Sequence, residues 1–129
     1  MNRRIYRNRL AVRGIVRKGN KILLARRRKS DSGGGNWQFV GGKVEGGKPM
    51  DALRRELKEE ANLKVRSAKR RHVQYNKLMK THTYYYDVKV TGKPKFQKAE
   101  LSAMKWVTVK QARNMPMTYG SKQIVRKMR

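Results

Sequence analysis

The chain has 129 residues, a length that suits one domain spanning residues 1–129. It is 37% hydrophobic, with 35 Lys and Arg against 8 Asp and Glu for a formal charge of +27. Such a charge repels itself in the folded state and draws polyanions, and the absence of cysteine removes disulfides, thiolate nucleophiles and cysteine-held zinc. No apolar run approaches the ~20 residues of a membrane span and no secretory apolar region follows Met1. The expected location is the cytoplasm, or an organelle matrix if the Arg-rich start, Met1–Leu10, acts as a transit segment.

In chain order, Leu10–Val16 and Lys21–Arg26 read as a strand pair turning at Gly19-Asn20. A polar loop over Arg26–Gly35 ends in three glycines, and Trp37–Val40 is a short strand running into a Gly41-Gly42 loop. Pro49 suits the first turn of a helix reaching about Ala61, with Leu53, Leu57 and Ala61 on one face and Asn62 as a left-handed stop. Strands are expected around His72–Tyr75, over Thr81–Val90 and over Met104–Val109. A helical turn at Lys110–Asn114 and a terminal helix over Tyr119–Met128 complete the order. Strands with one central and one terminal helix predict an α/β fold, a mixed sheet covered by helices.

The charge is segregated. Gly41–Leu63 holds five acids and five bases, and the rest of the chain carries the whole excess, with only Asp31, Asp87 and Glu100 as acids. Within the central helix, Glu56, Glu59 and Glu60 fan over an arc of roughly 100°. Three carboxylates that close repel one another unless a cation sits among them, and hard oxygen ligands favour Mg²⁺ or Mn²⁺ over zinc. Arg55 stands four residues before Glu59, the spacing of a helical ion pair. Carbonyls of the Gly-Gly loop are candidate further ligands.

The segment Gly41-Gly42-Lys43-Val44-Glu45…Arg54-Arg55-Glu56-Leu57-Lys58-Glu59-Glu60 resembles the Nudix box, and Trp37 before it and Glu100…Trp106-Val107 after it are similar to the family's flanks. The resemblance implies an α/β/α sandwich with a mixed sheet, and metal-dependent cleavage of nucleoside diphosphates linked to another group. It implies Mg²⁺ or Mn²⁺ held by Glu56, Glu59, Glu60 and the Gly41 carbonyl. Glu59 or Glu60 is then the base, Glu100 a second candidate, and Arg55 the orienting residue. Trp37, Phe39, Lys43 and Arg26 are the expected substrate contacts.

Three positions depart from the family's pattern, one of them Val40, which stands where many members have proline. The loop is one residue short, so its glutamate falls on Gly47 or Lys48, and Asn62 replaces a glycine. Retained metal binding with reduced activity is the expectation, with Glu45 as a partial substitute. Gly42-Lys43-Val44-Glu45-Gly46-Gly47-Lys48 also fits seven places of a phosphate-binding P-loop. Its eighth place is Pro49, however, and Glu45 would face the phosphate.

Among the aromatics, strand alternation puts at least one of Tyr84–Tyr86 inside, and His72 and His82 lack ligand spacing. Basic clusters at Arg26–Lys29, Lys64–Arg71 and Lys122–Arg129 suit non-specific, salt-sensitive binding of nucleic acid or another polyanion. No signature of sequence-specific recognition accompanies them. Two alternatives to the hydrolase follow: a weakly catalytic or non-catalytic scaffold that binds RNA, or an ordinary enzyme whose surface has been rewritten with Lys and Arg.

Overall fold

The computed structural model describes residues 9–28, 35–96 and 101–128. Six strands, β1 (Arg9–Lys18), β2 (Lys21–Arg27), β3 (Trp37–Lys43), β4 (Lys64–Asn76), β5 (Thr81–Thr91) and β6 (Leu101–Thr108), form one sheet. Three helices accompany it: α1 (Pro49–Ala61), α2 (Val109–Arg113) and α3 (Tyr119–Lys127). The strand order is β4-β5-β1-β3-β2-β6. β1 and β5 run parallel, and every other named pair is antiparallel, so the sheet is mixed.

Successive strand residues point to opposite faces, and the two cores follow that parity. Val16, Leu23, Val40, Tyr86 and Val88 pack under α1 with Leu53 and Leu57. Their neighbours Ile15, Ile22, Leu24, Phe39 and Tyr85 pack under α2 and α3 with Val109, Ile124 and Val125. The result is the expected α/β/α sandwich. No helix among the described residues is long and apolar enough to cross a membrane.

α1 has the expected bounds for visible reasons. Pro49 opens it, Asp51 lies in its first turn, and Asn62 ends it at φ 57° and ψ 37° with its N–H donating to Leu57 and Lys58 carbonyls. Two expectations need correction. Gly41 and Gly42 lie within β3 rather than in a loop, and between β3 and α1 the residues with positive φ are Gly46 at 107° and Gly47 at 74°. β4 covers 13 residues instead of about four, so the basic run Lys64–Arg71 is strand.

Candidate active site

β3 joins two partners in succession. Trp37–Phe39 pairs with β2, and Val40–Lys43 pairs with β1, with Gly41 opposite Arg13 and Gly42 opposite Val12. The two glycines are required by close approach. A Cβ on Gly41 would lie 2.0 Å from the Val12 carbonyl oxygen, and one on Gly42 would lie 2.5 Å from Glu56 Oε1. A side chain at Gly42 would therefore fill the space the Glu56 carboxylate occupies.

Over this strand end, α1 lays its carboxylates. Leu53 and Leu57 are fully buried and fix the helix face, each contributing about 1.5–3 kcal/mol by burial. Glu56 and Glu60, 40° apart around an ideal helix by a rotation of about 100° per residue, are drawn inward with them and are 5% and 6% exposed. Glu60 Oε1 accepts the Gly41 N–H at 3.1 Å. Glu59 stands outward, its Oε1 3.8 Å from Arg55 Nε, and both side chains are exposed. Arg55 also donates to the Lys43 carbonyl at 3.3 Å, so it ties α1 to the end of β3 across the shortened loop. Glu45, the proposed substitute for the missing loop acid, is exposed.

Sequence reasoning missed Arg13. It lies on β1 opposite Gly41, half-buried, and donates to the Phe39 carbonyl at 2.8 Å. Burial lowers its pKa, while the fields of Tyr85, Glu60 and Glu56 pull the other way. An arginine inside the apolar strand Leu-Ala-Val-Arg-Gly-Ile-Val was the available signal, because a buried cation calls for nearby anions.

The remaining expected residues scatter. Trp37 and Arg26 are register partners on the α3 face, with the Arg26 guanidinium 5.5 Å from the Trp37 ring centroid. Phe39 is fully buried against Tyr85 with ring centroids 6.1 Å apart, so its expected substrate contact gives way to a core role. Tyr85 and Tyr86 are both buried, on opposite faces. Lys43 is exposed at the end of β3. Glu100 lies outside the described residues.

The donor set is carboxylate and backbone oxygen, which suits a hard divalent ion, and Gly42 keeps open the space beside Glu56 that a Cβ would fill. Among the described residues no three His, Cys, Asp or Glu side chains converge as a preformed cage; Glu59 is the one turned aside. The parallel sheet that a P-loop requires is not built, since β3 and β1 are antiparallel.

The sequence matches the NUDIX domain family over residues 7–128. A MutT NUDIX hydrolase from Burkholderia pseudomallei is similar in structure, with a TM-score of 0.82 and 20% identity over 95% of this chain and 99% of that one. The E. coli ORF135 protein gives 0.80 and 25%, over 93% and 87%. The NUDIX domain of Shewanella oneidensis NrtR, solved with ADP ribose, gives 0.78 and 17%, over 93% and 85%. No curated protein sequence matches significantly. With the box on α1, the sandwich around it and a match over nearly the whole chain, this protein belongs to the Nudix family.

Proposed function

We propose that the chain hydrolyses the diphosphate bond of a nucleoside diphosphate joined to a second group, using Mg²⁺ or Mn²⁺. The observation that carries this reading is the pair of buried carboxylates, Glu56 and Glu60, held against the glycine end of β3. Glu56, Glu59, Glu60 and the Gly41 carbonyl would hold the ion, which when bound supplies charge neutralisation of the diphosphate and a more acidic water.

Glu59 or Glu60 takes the proton of a water whose oxygen forms the new bond to phosphorus, as the bridging P–O bond breaks. Glu59 is exposed and reaches solvent; Glu60 is fixed by the Gly41 N–H. Arg55, bonded to the Lys43 carbonyl and beside Glu59, positions that carboxylate as the box's loop acid would have helped to do. Lys43 brings a cation to substrate oxygens at the open end of β3. Glu100 remains the second candidate base. The short loop lowers the rate without removing the ligands.

The test is a hydrolysis panel of ADP-ribose, dinucleoside polyphosphates, nucleoside triphosphates and capped RNA with Mg²⁺, read by phosphorus NMR. The comparison is with Glu56→Gln and Glu59→Gln. Turnover on one class that disappears in both variants and on chelation is the expected result. A folded chain with no turnover above the variants on any member overturns the reading.

A further inference from the structure

The sheet face that carries α3 holds a second charged feature, remote from α1. Beyond the helix, β4, β5 and β1 line a groove of about 640 Å³ with Lys69, Arg71, Lys89 and Arg17. Its floor includes Ile15, a residue of the α3-side core. Register places Lys69 opposite Asp87, and Asp87 opposite Ile15. Asp87 is the single described acid outside Gly41–Leu63. It is engaged by two of the cations, with Arg17 Nη2 3.8 Å from Oδ1 and Arg71 Nε donating to Oδ2 at 2.5 Å. Both guanidiniums are half-exposed. Asp87 therefore orients the two arginine forks and cancels one of the four charges.

Cations on a sheet edge have an ordinary use, since they discourage strand-to-strand aggregation. That use accounts for Lys69 and Arg71 on the edge strand β4. It leaves Arg17 and Lys89 unexplained, because β1 and β5 are interior strands whose edges are already paired. Four cations converging from three strands, one of them the sheet edge, form a surface built for an anion with several charges.

We propose that this groove binds the phosphate backbone of a nucleic acid. The planar forks of Arg17 and Arg71 match phosphate oxygens, and the lysines add point charges. Exposed Lys64 and Arg66 extend the line along β4, as an extended polyanion requires and a single small anion does not. Of the exposed large apolar side chains that could enter a lipid surface, Leu78 and Met79 lie at the β4–β5 turn and Val73 and Tyr75 farther along β4, and neither they nor Phe96 and Tyr119 line the groove. The groove faces away from Glu56 and Glu60, so it anchors a polyanion without occupying the diphosphate site. Nothing in this inference rests on the chain being a hydrolase.

Binding of a single-stranded RNA of about 20 nucleotides, followed by anisotropy against salt, tests it. The groove variant is Lys69→Gln with Lys89→Gln, both exposed. The control removes two exposed cations elsewhere, Lys93→Gln with Lys110→Gln. Each lost phosphate contact reduces the slope of log K against log salt by about 0.7–0.9. The groove variant is expected to lose roughly 1.5 from the slope and roughly tenfold in affinity, and the control close to nothing. Equal losses in the two variants would show that the whole +27 surface binds diffusely and would overturn the site. Groove-dependent binding to phosphatidylserine vesicles without binding to RNA would overturn the choice of partner. Turnover on a free nucleotide, measured on the same variants, stays at the unmutated level and so reads the hydrolase separately.

Discussion

The two faces of the sheet are built from the same strands, yet they carry opposite chemistry. Under α1, two carboxylates are buried beside a glycine strand end and answered by the Gly41 N–H and the field of Arg13. Under α3, an equally apolar core gives way at its margin to a groove of cations with one acid. Burying carboxylates costs several kcal/mol unless compensated, whereas exposed lysines and arginines cost little individually. Of the five acids in the neutral segment, Glu56 and Glu60 are the two that the fold buries, while Glu45, Asp51 and Glu59 stay exposed. Position along β1 separates the two charge environments as well as the pleat does: Ala11–Gly14 lie against the β3 end that holds the carboxylates, and Ile15 and Arg17 lie in the groove.

Equal damage to each face tests whether the two are functionally separate. Leu57→Ala and Ile124→Ala both remove a fully buried side chain and are expected to cost about 2–5 kcal/mol each in urea unfolding. Activity per folded molecule should fall only for Leu57→Ala, because that residue seats the helix bearing Glu56 and Glu60. Equal activity losses would show that the faces are not functionally separate.

A smaller perturbation acts on the carboxylate directly. Gly42→Ala places a methyl group 2.5 Å from where Glu56 Oε1 lies, an overpacking of about 1–3 kcal/mol. Displacing the Glu56 carboxylate by an ångström should lower turnover roughly a hundredfold. Metal dependence of stability gives an independent reading. At a hundredfold excess over its dissociation constant, Mg²⁺ should stabilise the chain by about 2.7 kcal/mol. That increment should vanish on chelation and in Glu56→Gln, as seen by thermal unfolding with and without the ion.

What was legible in the sequence follows the strength of local signals. α1 was readable to the residue because proline, an apolar stripe at helical spacing and Asn62 all speak locally. β4 was not, because an edge strand exposed on much of its length has no apolar alternation to display. The carboxylates were visible as a cluster, but which two turn inward depends on Leu53 and Leu57 docking on the sheet. The glycines were visible too, and their reason was not: it is the approach of β1 to Gly41 and of Glu56 to Gly42, contacts between residues far apart in the chain. Arg13 and the groove were hidden for the same cause, since register alone brings Arg17, Lys69 and Lys89 to one place.

The smallest expected effect concerns His72, which sits on the α3 face opposite Tyr85. Burial lowers its pKa below 6.5, Lys127 and Arg71 lower it further, and Asp87 opposes them. The fold thus favours the neutral imidazole, and as pH falls the unfolded chain takes up this proton first. The stability His72 contributes is present above about pH 6.5 and is lost as the pH falls through its lower folded value. His72→Gln should flatten that part of the stability profile, and Asp87→Asn, by removing the opposing field, should push the imidazole's titration lower still in an NMR measurement. Bound polyanion acts in the reverse sense. Negative charge in the groove would raise the folded pKa toward 6.5 and narrow the window in which stability is lost. An imidazole titration unmoved by saturating RNA would then separate His72 from the groove and confine the polyanion to the outer cations.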